Sequence, residues 1–185
     1  LTVLTRDQPF LFSNISGVLS SFGMDILRGF AFTKPDGLVV DMFHFTDQER
    51  FLELNEEGDE ELLHVLKDVV AGRADVGSRL KGREQGAFRR KLPGFTPVIR
   101  CDNSSSRRYT IVEIIAENAL GLLYRVSRAM SESGCDVDLV LIATEGRRAI
   151  DVFHLTKQGS KLSEEQQAEI THNLHRVLEG RHEAH

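Results

Sequence analysis

The sequence predicts an α+β fold built from two copies of one small sheet-and-helix module. Two observations predict it. The first is an internal repeat. Leu11-Phe12-Ser13-Asn14-Ile15-Ser16, Gly23-Met24-Asp25-Ile26 and Asp41-Met42-Phe43-His44-Phe45-Thr46 return as Leu122-Leu123-Tyr124-Arg125-Val126-Ser127, Gly134-Cys135-Asp136-Val137 and Asp151-Val152-Phe153-His154-Leu155-Thr156. The spacing is 111 residues as far as Thr33/Thr144 and 110 from Asp41/Asp151. The lost residue falls where Lys34-Pro35-Asp36-Gly37 shortens to Glu145-Gly146-Arg147. Folded modules absorb length changes in turns, so two copies of one module are expected. The second observation is the order of periods. Each copy reads strand, helix, strand, strand, helix.

The elements follow in chain order. Thr2 to Thr5 is a short strand. Leu11, Ile15, Val18, Leu19 and Phe22 form the apolar stripe of a helix, and Gly23 ends it. Met24–Thr33 and Leu38–Thr46 are strands joined by the Lys34-Pro35-Asp36-Gly37 turn. Leu62, Leu66, Val69 and Val70 mark the second helix. Thr96–Asp102 is a further strand. In the second copy Tyr109–Ala116 is the first strand. Leu122, Val126, Ala129 and Met130 carry the helix, stopped by Gly134. Cys135–Thr144 and Arg148–Thr156 are the strand pair. Ser163-Glu164-Glu165-Gln166 fits a capping box opening a helix with Ile170, Leu174, Val177 and Leu178.

This order is the split β-α-β pattern of ferredoxin-like folds, βαββαβ. Residues 1–102 are expected as the first module, 103–106 as a linker and 107–185 as the second. The second ends in Gly180-Arg181-His182-Glu183-Ala184-His185, too short and polar for a strand, so it is expected to lack its fourth strand. The strand Thr96–Asp102 should then lie beside the first strand of its own module. Tyr109–Ala116 should then have an unpaired edge unless something covers it, and the expected cover is the partner module or another subunit.

Composition narrows the function. The chain has 185 residues, 41% of them hydrophobic, and a formal net charge of −5. That balance argues against bulk attraction to nucleic acid or anionic membrane. No apolar run approaches the ~20 residues of a membrane span. With no signal peptide visible and Cys101 and Cys135 lacking a Cys-x-x-Cys spacing, a cytoplasmic location with reduced thiols is expected. The start at Leu1, inside a strand-like run, points to a piece of something longer.

Residues 73–95 form the least regular stretch. From Arg73 to Arg100 there are eight basic residues (Arg73, Arg79, Lys81, Arg83, Arg89, Arg90, Lys91, Arg100) against Asp75 and Glu84. From Asp47 to Glu61 there are eight acids and one arginine. The two segments read as a solvated loop and helix entry, or as a basic segment docked on an acidic surface. With Phe88 its one aromatic apart from Phe95, the basic stretch is a poor match for nucleic-acid binding.

The strand-to-helix junctions carry the candidate chemistry. They are Arg6-Asp7-Gln8-Pro9-Phe10-Leu11-Phe12 and Glu117-Asn118-Ala119-Leu120-Gly121-Leu122-Leu123. Asp7 and Asn118 stand where an N-cap belongs. Unpaired amides at a helix start suit a carboxylate, and Gly121 lets a ligand approach the backbone. These junctions, with Gly23-Met24-Asp25-Ile26 and Gly134-Cys135-Asp136-Val137, resemble the ACT-domain family of amino-acid-binding regulatory modules. The first copy has Phe10 where that pattern has Gly. The second has Asn118 for Asp and Leu120 for Pro. As a pair, with Asp41-Met42-Phe43-His44-Phe45 and Asp151-Val152-Phe153-His154-Leu155, they resemble the C-terminal ACT pair of the bifunctional PII uridylyltransferase/uridylyl-removing enzyme family.

The resemblance implies a regulatory module that binds an amino acid, glutamine by family, and signals to catalytic domains outside this chain. It implies no enzyme activity, cofactor or metal here. Asn118, Ala119, Leu120, Gly121 and Leu122 would hold the ligand carboxylate. Cys135, Asp136, Val137 and Asp138 would meet the ammonium, with Asp136 the counter-charge. Asp7, Gln8, Phe10, Leu11, Met24 and Asp25 would form the equivalent site of the first copy, crowded by Phe10. The alternatives are a ligand-free oligomerisation or docking platform, with a homodimer as partner, and a freestanding amino-acid-binding ACT protein.

The catalytic alternatives lack their parts. Gly77-Ser78 has no Asp-x-Asp at useful distance, and none of the seven His precedes an Asp. Asp41 and Asp151 share strand parity with Phe43 and Phe153, so each either anchors a loop amide or faces a ligand. His44 and His154 fall on the opposite face as packed or surface residues. His172 and His175, near His182 and His185, read as a His-rich helix end rather than a zinc site.

Overall fold

A computed structural model describes residues 1–34, 36–86 and 95–179. The first half contains β1 (Thr2–Arg6), α1 (Leu11–Ser21), β2 (Met24–Thr33), β3 (Leu38–Asp47), a one-turn α2 (Phe51–Leu54) and α3 (Gly58–Val70). Then come α4 (Val76–Gly86) and β4 (Val98–Asp102). The second half contains β5 (Thr110–Glu117), α5 (Leu122–Glu132), β6 (Asp136–Glu145), β7 (Arg148–Thr156) and α6 (Glu164–Glu179). The chain is therefore an α+β fold of two sheet-and-helix modules.

Local chemistry explains most of these elements. The stripe Leu11, Ile15, Val18, Leu19 and Phe22 is buried throughout, as the helical period requires. Along β3, Val39, Asp41 and Phe43 are buried while Met42 and His44 are exposed, so one sheet face is covered. Phe12 of α1 stacks on Phe43 with ring centroids 4.9 Å apart. In the capping box Ser163 N–H donates to Gln166 Oε1 at 2.9 Å, and Gln166 N–H donates to Ser163 Oγ at 3.3 Å. Asp47 opens α2 by accepting from the Phe51 and Leu52 amides at 2.9 and 2.7 Å.

Strand pairing departs from expectation. The first sheet has three strands in the order β1-β3-β2, and the second has four in the order β4-β5-β7-β6. β4 pairs antiparallel with β5, Val98 opposite Ile115 and Asp102 opposite Ile111. The second module therefore does not lack a fourth strand; β4 supplies it from upstream. The bare edge falls on β1, which pairs with β3 alone among the described strands. The cause is local. Residues 103–109 make a short connection, and a short loop costs less entropy to close than a long return to β1. Side chains then fix that loop. Thr110 Oγ1 donates to Asn103 Oδ1 at 2.6 Å, and Lys161 Nζ donates to the Asn103 and Ser106 carbonyls at 2.7 and 2.6 Å.

The segment expected to be irregular is helical over Val76–Gly86. Asp75 opens α4 by accepting from the Ser78 amide and hydroxyl at 2.8 and 2.7 Å, and buried Val76 and Leu80 at i and i+4 anchor it. Arg83 forms an ion pair with Glu49, so part of the basic segment does dock on the acidic one. Phe88, Arg89, Arg90 and Lys91 lie outside the described residues, as does the tail from Gly180 to His185.

The two halves meet through equivalent elements. α1 packs on α5, and β2 adjoins β6. These two elements touch their own repeat counterparts, which is what a two-fold axis through the seam produces. Both β2 and β6 carry a register shift at equivalent places, between Ile26 and Arg28 and between Val137 and Leu139. Gly17 and Gly29 allow the close approach. A Cβ at Gly17 would stand 2.8 Å from the Tyr124 ring, and one at Gly29 would stand 3.2 Å from Ile142. One continuous core results, with Phe43 and Phe153 each about 1% exposed or less. Burying such a ring contributes about 1.5–3 kcal/mol.

Candidate functional site

The chain enters α5 through Asn118–Gly121. Asn118 N–H donates to the Arg147 carbonyl at 2.8 Å, which ties the junction to the β6–β7 turn. Leu122 N–H donates back to the Ala119 carbonyl at 2.9 Å. Gly121 takes a left-handed φ of 66° and is the N-cap residue, with no side-chain cap bond. Beyond the Leu122 amide, the opening turn has no side-chain cap and presents the positive end of the helix dipole. Asn118 was expected at the N-cap but lies three residues earlier, and Asp7 is displaced in the same way from Phe10. Phe10 holds φ at 64°, a left-handed conformation that suits glycine and strains an aromatic residue.

A cavity of about 290 Å³ lies at this junction. Asn118 to Leu123 line it from the second half, and Met24, Asp25 and Ile26 line it from the first. Ser20 of α1, Gln48 and Glu49 just past β3, and Thr144 and Asp151 on the second sheet add polar lining. Near the cavity, Arg83 of α4 joins Glu49 in an ion pair and donates to the Ser21 carbonyl at 3.4 Å. Leu80 of the same helix stands 3.4 Å from the place of a Gly121 Cβ. The segment joining the halves therefore lies over their seam.

The expected site residues divide into two groups. Asn118, Ala119, Leu120, Gly121 and Leu122 share the cavity with Met24 and Asp25. Cys135, Asp136, Val137 and Asp138 do not line it; they belong on the other side of the two-fold. There Asp7 raises the Asp136 pKa, after burial and Asp138, so the first-copy junction faces the second-copy strand. Around this cavity Asn118–Leu122 thus faces Met24–Ile26 of the first half, a crossed arrangement that the Asp7–Asp136 proximity repeats on the other side. Asp138 accepts from Thr156 Oγ1 at 3.1 Å. Gln8 Nε2 donates to the Val70 carbonyl at 2.9 Å, and Leu11 is buried in the core. Cys135 is buried, and desolvation pushes its thiol up to about 11, so it is no nucleophile.

At the Asp7 junction the equivalent space is occupied differently. The guanidinium of Arg128 lies 5.2 Å from the Phe10 ring centroid. It also donates to the Tyr124 hydroxyl at 3.2 Å.

Two acids gain importance. Asp41 and Asp151 are 1% and 2% exposed. Both carboxylate oxygens of Asp41 and Oδ1 of Asp151 lack a hydrogen-bond partner among the described residues, so neither anchors a loop amide through those atoms. Burial pushes each pKa up to about 7, and Asp7 adds to the shift at Asp41. Strand parity marked them as core-facing; nothing in the sequence marked them as unpartnered. Among the described residues no group of three or more His, Cys, Asp or Glu is placed to hold a metal ion, and no helix is long and apolar enough to cross a membrane.

No protein-family model matches the chain. It is similar to curated proteins described as bifunctional uridylyltransferase/uridylyl-removing enzymes. That of Gluconobacter oxydans (strain 621H) is 32% identical over 159 residues, which take in 84% of this chain and 16% of the relative. That of Novosphingobium aromaticivorans is 33% identical over 157 residues, 84% of this chain and 17% of the relative. That of Vibrio campbellii (strain ATCC BAA-1116) is 32% identical over 180 residues, 93% of this chain and 19% of the relative. The chain spans about a sixth of the length of the curated relatives it matches.

Proposed function

Because the chain is homologous over most of its length to the C-terminal regulatory region of the bifunctional uridylyltransferase/uridylyl-removing enzymes, we propose that it is their amino-acid sensor, a pair of ferredoxin-like ACT modules that binds glutamine at the seam. It corresponds to a non-catalytic part, so the signal passes to catalytic domains of the same parent chain, which add and remove UMP on the PII nitrogen-signalling protein. The observation that carries the reading is the cavity shared by the uncapped opening turn of α5 and the start of β2. Helix-start amides and dipole favour a carboxylate. Asn118, Gln48 and Thr144 offer hydrogen bonds to a side-chain carboxamide. A ligand touching both halves favours one relative orientation of them, and that differential is what a downstream domain reads.

Isothermal titration calorimetry of the chain with glutamine tests the proposal. Saturable heat with a one-to-one endpoint is expected; silence at millimolar glutamine contradicts it. A second reading, a docking platform, is favoured by the outer face of the first sheet. Leu4, Val40 and Phe32 stand in one row across β1, β3 and β2, with Leu4 65% and Phe32 56% exposed. A tight dimer in analytical ultracentrifugation, unchanged by glutamine and without calorimetric heat, selects that reading.

A further inference from the structure

We infer that Asp151 is the cation-recognising residue of the seam cavity: its buried carboxylate takes the ammonium group of a zwitterionic amino acid whose own carboxylate rests on the opening turn of α5. The inference rests on the sensor reading and adds a specificity residue to it, on a strand rather than in a junction loop.

Three observations carry it. First, Asp151 lines the cavity, is 2% exposed, and leaves Oδ1 without a hydrogen-bond partner among the described residues. An unpartnered buried carboxyl is costly, and native proteins rarely keep one without a use for it. Second, its ladder neighbours are Ile114 on β5 and Ile142 on β6, and no ion pair to it is formed among the described residues. A cation placed there meets an acid that no ion pair among the described residues neutralises. Third, the same cavity holds the uncapped start of α5. A simple anion satisfies the helix start and is repelled by Asp151; a simple cation does the reverse. A small molecule with both charges on one carbon satisfies the two together. Burial also places the Asp151 pKa at about 7, so the charged form is accessible near neutral pH and an arriving ammonium favours it.

The other half explains why Asp41 does not duplicate this role. Asp41 is equally buried and also unpartnered. Yet Asp7 stands near it where Asn118 stands in the seam cavity, and Phe10 replaces Gly121 at the helix start. That side combines excess negative charge with a bulky ring at the helix start, a poor host for a ligand carboxylate.

The test compares glutamine with glutaramic acid, which keeps the carboxylate and the carboxamide and lacks only the ammonium. Wild-type chain is expected to bind glutamine at least about tenfold more tightly, the usual worth of a charge-assisted hydrogen bond. Asp151→Asn is expected to weaken glutamine by about tenfold or more and leave glutaramic acid nearly unchanged, so the preference collapses. Thermal melting above neutral pH checks the fold, where Asp151→Asn should be at least as stable as wild type because it removes a buried unpaired charge. Equal wild-type affinity for both ligands, or glutamine binding unchanged in Asp151→Asn, overturns the inference and leaves the sensor reading standing. Binding of neither ligand to wild type removes both.

Discussion

At the head of α1 stands Phe10; at the head of α5 stands Gly121. The two residues occupy equivalent places in the repeat and hold nearly the same left-handed φ, 64° and 66°. Glycine reaches that conformation without strain and leaves space in front of the helix. Phenylalanine reaches it at a cost and puts a ring where a ligand would stand, with Arg128 against it. The strands differ as well. β5 is flanked by β4 and β7, whereas β1 has β3 on one side. One module thus keeps an open junction after a first strand paired on both sides, and the other has a filled junction after a first strand paired on one. Repetition of an architecture does not repeat its local chemistry; on the proposed reading, a few residues at the helix start decide which copy holds a ligand.

The feature the halves share, a buried acid on the central strand, should produce the largest effect. Each native carboxyl keeps its proton up to about pH 7, while the unfolded chain releases it in the ordinary carboxylate range. The folded state therefore binds more protons between those limits, and stability falls as pH rises through them. Asp41→Asn and Asp151→Asn should each flatten that fall by up to about 3 kcal/mol between about pH 5 and about pH 8, at ~1.4 kcal/mol per pH unit. Urea denaturation across that range measures it. Curves that coincide with wild type would mean that the acids find partners after all.

Exchanging the helix-start residues sharpens the contrast next. Gly121→Phe should cost about 1–2 kcal/mol from the left-handed backbone alone and abolish glutamine heat in calorimetry. Phe10→Gly should leave seam binding intact, since Phe10 does not line that cavity. Binding that survives Gly121→Phe, or is lost in Phe10→Gly, would exchange the roles assigned to the two copies.

Hydrogen exchange compares the sheet edges. Alternate amides of Thr2–Arg6 should exchange rapidly, and those of Ile111–Ile115, matched to Val98–Asp102, should be protected. Uniform protection of β1 would show that its edge is covered in solution. The smallest effect concerns the later helices. α6 opens with a reciprocal cap, whereas α3 opens at Glu57 without a side-chain cap bond. Ser163→Ala should lower stability by about 1 kcal/mol, and Glu57→Ala by much less, in the same denaturation assay.

Much of the fold was legible in local patterns. The α1 and α5 stripes and both hairpins fall where periodicity placed them, because one-sided burial leaves its period in the residues. The partner of β4 was not legible. Val98–Asp102 reads as a strand wherever it pairs, and the short connection with its Asn103, Ser106, Thr110 and Lys161 contacts fixes the choice. The α4 helix was obscured by its glycines and charges, since Val76 and Leu80 are a short apolar signal. At the site, Asn118–Leu122 stood out through junction chemistry. That it meets Met24–Ile26, and not Cys135–Asp138, depends on a two-fold axis that a repeat implies but does not orient. Asp151 was visible as a core-facing acid, but the missing partner belongs to three-dimensional surroundings.

The central claim is that one ligand bridges the open junction and the opposite strand. Amide chemical shifts of the isotope-labelled chain, followed through a glutamine titration, test it most directly. Saturable shifts concentrated at Asn118–Leu123 and Met24–Ile26 together, with the Asp7–Leu11 junction quiet, are the predicted result. Shifts confined to the Asp7–Leu11 junction, or none at millimolar glutamine, would contradict it.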